Sequence, residues 1–155
     1  MNKENLAREV HSYYTSQVNI ADAKVSILLA ANLVVFTSSV NWSVPKYFIF
    51  IHYLTLIFLV LSILLCCFCL FPRLTKPVRG FIFWRSVRDF GRLEKYKKGF
   101  IDLTEREILE EYLKQNWALS GILCQKYKWI RYAITSFSAA VFCGGLLLLL
   151  NIRYP

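Results

Sequence analysis

The chain alternates between long apolar runs and short charged stretches. Between Lys24 and Lys46 lie 21 uncharged residues, between Lys46 and Arg73 there are 26, and between Arg131 and Arg153 another 21. An α-helix crosses roughly 30 Å of hydrocarbon with about 20 residues, so each run is long enough to span a bilayer. The pattern predicts transmembrane helices over residues 23–42, 47–71 and 132–152. It places a cytoplasmic N-terminal helix over 1–22 and a basic cytoplasmic helical region over 72–131. The fold class is an all-α membrane protein: three transmembrane helices with cytoplasmic helical extensions. The first run is read as a span rather than a signal peptide, because twenty mostly polar residues precede it and no short basic region opens the chain.

Outside the runs the apolar positions recur at helical spacing. Leu6, Val10 and Ala21 pattern the N-terminal stretch, and no Gly or Pro separates it from the first span. Ser43, Val44 and Pro45 form the turn of a helical hairpin, and Pro72 and Pro77 bracket a stop after the second span. Gly80, Gly91 and Gly99 break the next stretch into short helical pieces. Thr104 and Glu107 read as a capping box, a Thr capping the first amides and a Glu reaching back. From Ile108 to Ile130 apolar residues recur at three- and four-residue spacing with no proline. This predicts one helix from Thr104 to about Leu150, on the order of 70 Å long.

Composition agrees. Of the 155 residues 56% are apolar and 19% charged, which excludes a disordered chain and a disulfide-stapled miniprotein. The net charge of +9 is unevenly placed: Arg73 to Arg131 holds 14 Lys/Arg against 7 Asp/Glu. Basic short segments stay in the cytoplasm, so the expected topology is N-terminus cytoplasmic and C-terminus periplasmic, with Asn41–Pro45 outside.

Candidate chemistry is sparse. Cys66, Cys67 and Cys69 lie within a span without a spaced partner pair, and read as packing residues rather than metal ligands. His52, the one ionisable group of its span, reads as interfacial. Asp22 and Lys24 enter the inner leaflet with Asn32 two turns deeper; they are a charge pair with an interhelical hydrogen bond, or a latch between cytoplasmic helices and membrane bundle. Ser136, Ala140 and Gly144 form a small-residue stripe suited to helix packing, within the chain or between copies. Arg79, Arg85, Arg88, Arg92, Lys95, Lys97 and Lys98 interleave with Phe83 and Trp84. Composition favours attraction to anionic lipid there over an anion pocket in which Arg clamps phosphate and an aromatic stacks on a base. No nucleophile elbow, phosphate-cradling glycine loop, paired catalytic carboxylates or metal motif is present, so no enzyme and no cofactor are expected.

Several ordered motifs resemble the Pycsar transmembrane effector family: Ala21-Asp22-Ala23-Lys24 with Leu28-Leu29-Ala30-Ala31-Asn32, Phe71-Pro72-Arg73, Phe81-Ile82-Phe83-Trp84, and Lys126-Tyr127-Lys128-Trp129-Ile130-Arg131. Val25 and Leu33 depart from it, standing where small residues are expected. The resemblance implies a bacterial antiphage effector in the inner membrane. A partner cyclase makes cyclic CMP (cCMP) or cyclic UMP (cUMP), and the effector responds by impairing the membrane. The chain is expected to act as a homo-oligomer with membrane lipid as a partner and no nucleic acid. Matched by position, Asp22, Lys24 and Asn32 are expected to couple the cytoplasmic helices to the spans. Arg73, Arg85, Lys126, Tyr127 and Arg131 are expected to contact ligand or headgroups. The competing function is a non-permeabilising membrane adaptor whose cytoplasmic helices dock a soluble protein.

Overall fold

The computed structural model describes residues 3–71, 80–81 and 84–153. Among the described residues the helices follow in the order α1 Lys3–Val40, α2 Ile49–Leu70, α3 Trp84–Asp89, α4 Leu93–Ile101 and α5 Glu105–Arg153, with a 3₁₀ turn, Lys46–Phe48, before α2. No strand occurs among the described residues. Three helices, α1, α2 and α5, are long and apolar enough to cross a membrane. The all-α membrane class is what the charge-free runs anticipated.

The helix ends follow local chemistry. Phe71, before Pro72, is extended (φ −60°, ψ 126°), as the proline ring demands, and its amide closes α2 by donating to the Cys67 carbonyl at 3.0 Å. Gly91 adopts φ +70°, the left-handed turn between α3 and α4 that a Cβ would strain. The capping box forms at the start of α5: the Thr104 amide donates to Glu107 Oε2 at 2.8 Å, and the Glu107 amide donates to Thr104 Oγ1 at 3.4 Å. The Thr104 amide, and with it the Thr104 hydroxyl, which donates to the same Oε2 at 2.8 Å, favour the ionised carboxyl and hold Glu107 below the usual carboxylate range.

The chain divides into two compact units, one of Met1–Asn19 with Pro72–Gln125, the other of Ile20–Phe71 with Lys126–Pro155. Helices α1 and α5 each contribute to both. In the first unit Asn116 joins α5 to α1: its Nδ2 donates to the Ala7 carbonyl at 2.9 Å, and its Oδ1 lies 3.3 Å from His11 Nδ1. In the same unit Phe81, Phe90, Tyr96 and Phe100 stack into an aromatic cluster. Glu111 fastens this cluster to α5 by accepting the Phe81 amide at 2.8 Å. Gly99 approaches Phe81 so closely that a Cβ would lie 2.9 Å from its ring.

The second unit is a three-helix bundle whose inside is smaller and more polar than its outside. On α2 the buried residues are Thr55, Leu59, Ser62, Cys66 and Cys69, spaced four, three, four and three. That period of 3.5 is the seam of left-handed helix packing. On α1 the buried set is Ala21, Val25, Asn32 and Ser39; on α5 it includes Ile130, Ala133, Ser136, Ala140 and Leu147. Large residues such as Ile27, Phe50, Ile57, Phe68 and Phe142 face outward. Lipid tails are as apolar as Leu, so no hydrophobic contrast drives these helices together; close contact of small side chains and interhelical hydrogen bonds do so. Val25, where a small residue was expected, is packed into this core with Cys66, Cys69, Ile130 and Ala133.

Candidate functional site

Asp22 and Lys24 sit on α1 beside Ala21 and Val25, two of the most deeply packed residues of the bundle. Across from them is the stretch of α5 that begins at Lys126. The Lys126 ammonium is ion-paired with the Asp22 carboxylate; the Lys side chain is 12% exposed and the Asp side chain 39%. The Lys126 backbone carbonyl accepts a bond from Cys69 Sγ at 3.6 Å, so one residue ties α5 to both α1 and α2. The Lys24 ammonium stands over the Tyr127 ring, 5.8 Å from its centroid, a cation–π geometry. Four of the sequence-selected residues, separated by about a hundred positions, therefore form one cluster. The cluster brings together two ammonium groups, a carboxylate and a phenol ring.

The other selected residues are dispersed. Arg131 is exposed one turn beyond the cluster. Arg73 lies outside the described residues. Arg85 belongs to α3, but its side chain also lies outside what is described. Asn32 is fully buried; its Nδ2 donates to the Leu28 carbonyl of its own helix at 2.8 Å, and its Oδ1 has no hydrogen-bond partner among the described residues. Ser136 donates its hydroxyl to the Phe58 carbonyl of α2 at 2.8 Å, Ala140 is buried, and Gly144 faces Thr55. His52 Nδ1 is enclosed without a partner among the described residues.

Sequence reasoning missed Ser62, whose hydroxyl donates to the Ala133 carbonyl of α5 at 2.9 Å in the bundle interior. A signal for it exists: Thr55, Ser62 and Cys69 recur every seven residues and mark one face of a predominantly apolar helix. Among the described residues no group of three or more His, Cys, Asp or Glu is placed to hold a metal ion.

The Pycsar effector protein domain matches residues 6–152, nearly the whole chain. The chain belongs to the Pycsar transmembrane effector family. It is similar to Pycsar effector protein SaPycTM of Staphylococcus aureus, 27% identical over 139 residues that cover 84% of this chain and 85% of the relative. No solved structure matches. The coarse function follows from the family: this Pycsar effector is an antiphage defence effector and a membrane protein, and its family is not a known enzyme class.

Proposed function

We propose that this effector senses cCMP or cUMP made by a partner cyclase and, on binding it, rearranges or oligomerises so that the inner membrane is impaired and growth arrests. The orientation that fits is N-terminus cytoplasmic and C-terminus periplasmic, which presents the basic segments to a cytoplasmic ligand. The observation that carries the reading is the Asp22–Lys126 pair beside Lys24 and Tyr127. A cyclic nucleotide brings a phosphodiester charge and a flat base. The phosphate competes with Asp22 for Lys126, and the base finds an aromatic face in Tyr127, with Arg131 one turn further along α5 as a further contact. Releasing Asp22 from Lys126 loosens the joint of α1 with α5. Because both are single helices that contribute to both units, a change at this joint reaches the spans and the cytoplasmic helices together. A ligand shifts such an equilibrium only by binding one arrangement more tightly, which the competition for Lys126 provides.

Entry of a membrane-impermeant dye into bacteria tests this. Cells expressing the effector with a cCMP- or cUMP-producing cyclase should take up dye, and cells with an inactive cyclase should not. Lys126→Glu at equal expression should abolish the dependence on cyclase. Nucleotide binding by purified protein without dye entry under any condition favours the adaptor instead.

A further inference from the structure

The bundle of α1, α2 and α5 buries a line of polar side chains that the ion pair at Lys126 does not use. Asn32 and Ser39 lie seven residues apart on α1, Thr55 and Ser62 seven apart on α2, and Ser136 on α5 joins them. Ser62 and Ser136 bridge helices, donating to the carbonyls of Ala133 and Phe58. Ser39, Thr55 and Asn32 instead donate within their own helices, to the carbonyls of Val35, Ile51 and Leu28. Helix packing alone does not call for these three, since Ala permits an equally close approach without a polar atom. A cleft of about 550 Å³ reaches Ser39 and Thr55 beside Trp42, Gly144 and Gly145, at the end of the bundle remote from Asp22 and Lys126. Toward Asp22 and Lys126 the line ends at an apolar layer of Val25, Cys66, Ile130 and Ala133.

We propose that this line is the wall of an aqueous pathway that opens on activation, with the apolar layer as its gate. The proposal rests on the nucleotide-driven membrane impairment inferred above and names the residues through which it acts. Parting an all-apolar bundle sets hydrocarbon against water, whereas parting this one presents hydroxyls and an amide. At rest the hydroxyls need no water, because each already donates to a carbonyl. Asn32 is the exception: its buried Oδ1 has no partner among the described residues, and water entering the bundle supplies the missing donor. Polar groups within spans mark solute and ion pathways, and apolar constrictions exclude water until they widen. The gate adjoins the ion pair, with Val25 one turn from Asp22 on α1 and Ile130 one turn from Lys126 on α5. Loosening that pair therefore acts on the layer that closes the pathway.

The test reads thiol labelling of the full-length protein in sealed vesicles of phosphatidylethanolamine and phosphatidylglycerol that hold trapped dye. A charged, membrane-impermeant maleimide is added with or without cCMP or cUMP, and labelled positions are identified by mass spectrometry, so the native cysteines stay in place. Cys66, in the gate, should be labelled about tenfold or more faster with nucleotide, as the open arrangement rises from a minor share of the population. Ser62→Cys should gain by the same factor. Ile57→Cys, which faces outward on the same helix, should stay unlabelled in both conditions. Dye release with positions 62 and 66 unlabelled, or with position 57 labelled as fast, overturns the pathway and leaves the proposed function standing, because the bilayer itself is then the route. Labelling of Ser62→Cys and Cys66 at the same rate without nucleotide also overturns it, because the line is then wet at rest. Vesicles that stay sealed at saturating nucleotide overturn both readings. Cys66 is read in the unsubstituted protein, so a poorly folded variant does not hide the result.

Discussion

Replacing Asn32 by Leu should make the effector harder to trigger. The Asn32 side chain is enclosed in the bundle, and its Nδ2 donates to a carbonyl of its own helix, leaving Oδ1 without a partner among the described residues. No water reaches the hydrocarbon depth to compensate, and an unsatisfied buried polar group costs about 1–3 kcal/mol. That cost raises the free energy of the resting bundle relative to any arrangement in which Oδ1 finds a donor. Leu has similar volume and no polar atom, so Asn32→Leu removes the cost from the resting state and the gain from the rearranged one. A bias of about 1–3 kcal/mol is a factor of about 5 to 150 in the equilibrium, and the ligand concentration for half-maximal dye entry should rise by that factor. The assay is a titration of cyclic nucleotide against dye release, paired with thermal unfolding in detergent, where the variant should melt higher. An unchanged or lowered threshold in a variant of raised stability refutes the reasoning. A variant of reduced stability shows that Oδ1 is already satisfied in the resting bundle.

Three further outcomes follow from other contacts. Lys126→Glu should weaken the α1–α5 joint by about 1 kcal/mol, discounted because Asp22 is over one third exposed, and raise ligand-independent dye entry about fivefold; adding Asp22→Lys should bring it back down. Ser62→Val deletes the hydroxyl that donates to the Ala133 carbonyl and should cost about 0.6–1.7 kcal/mol, seen as a lower melting temperature in detergent. Glu107 is held below the ordinary carboxylate range by its bonds to Thr104, so its contribution to the start of α5 is present above the unfolded carboxylate pKa and is lost as pH falls through the folded value. Amide protection over residues 104–108, taken against the intrinsic exchange rate at each pH, should therefore fall on acidification in the native protein and lose that dependence in Glu107→Gln.

What the sequence reveals is set by where physical contrast lies along the chain. Charge is prohibitive in hydrocarbon, so the runs between Lys24 and Lys46, Lys46 and Arg73, and Arg131 and Arg153 mark the spanning helices without ambiguity. The Thr104–Glu107 box is a local interaction between residues three apart, and it is legible for that reason. Inside a span the contrast disappears, because the lipid face and the packed face are both apolar. The face of α2 that holds Ser62 is encoded instead by residue size and a sevenfold repeat, a fainter signal than hydrophobicity. Asp22 and Lys126 are each visible as charges at a membrane boundary, yet their pairing joins residues 104 apart and depends on the packing of α1 against α5. Asn116 was hidden similarly: nothing in an amphipathic stretch distinguishes a solvated Asn from one that bonds the Ala7 carbonyl.

The most direct test of signal-driven membrane impairment is dye release from sealed vesicles that contain the purified effector and no other protein. Addition of cCMP or cUMP should release trapped dye in proportion to occupancy and at higher ligand concentration for Asn32→Leu, whereas Lys126→Glu vesicles should leak without nucleotide and gain nothing from it. Vesicles that stay sealed while the protein is saturated with nucleotide would contradict the account at its centre.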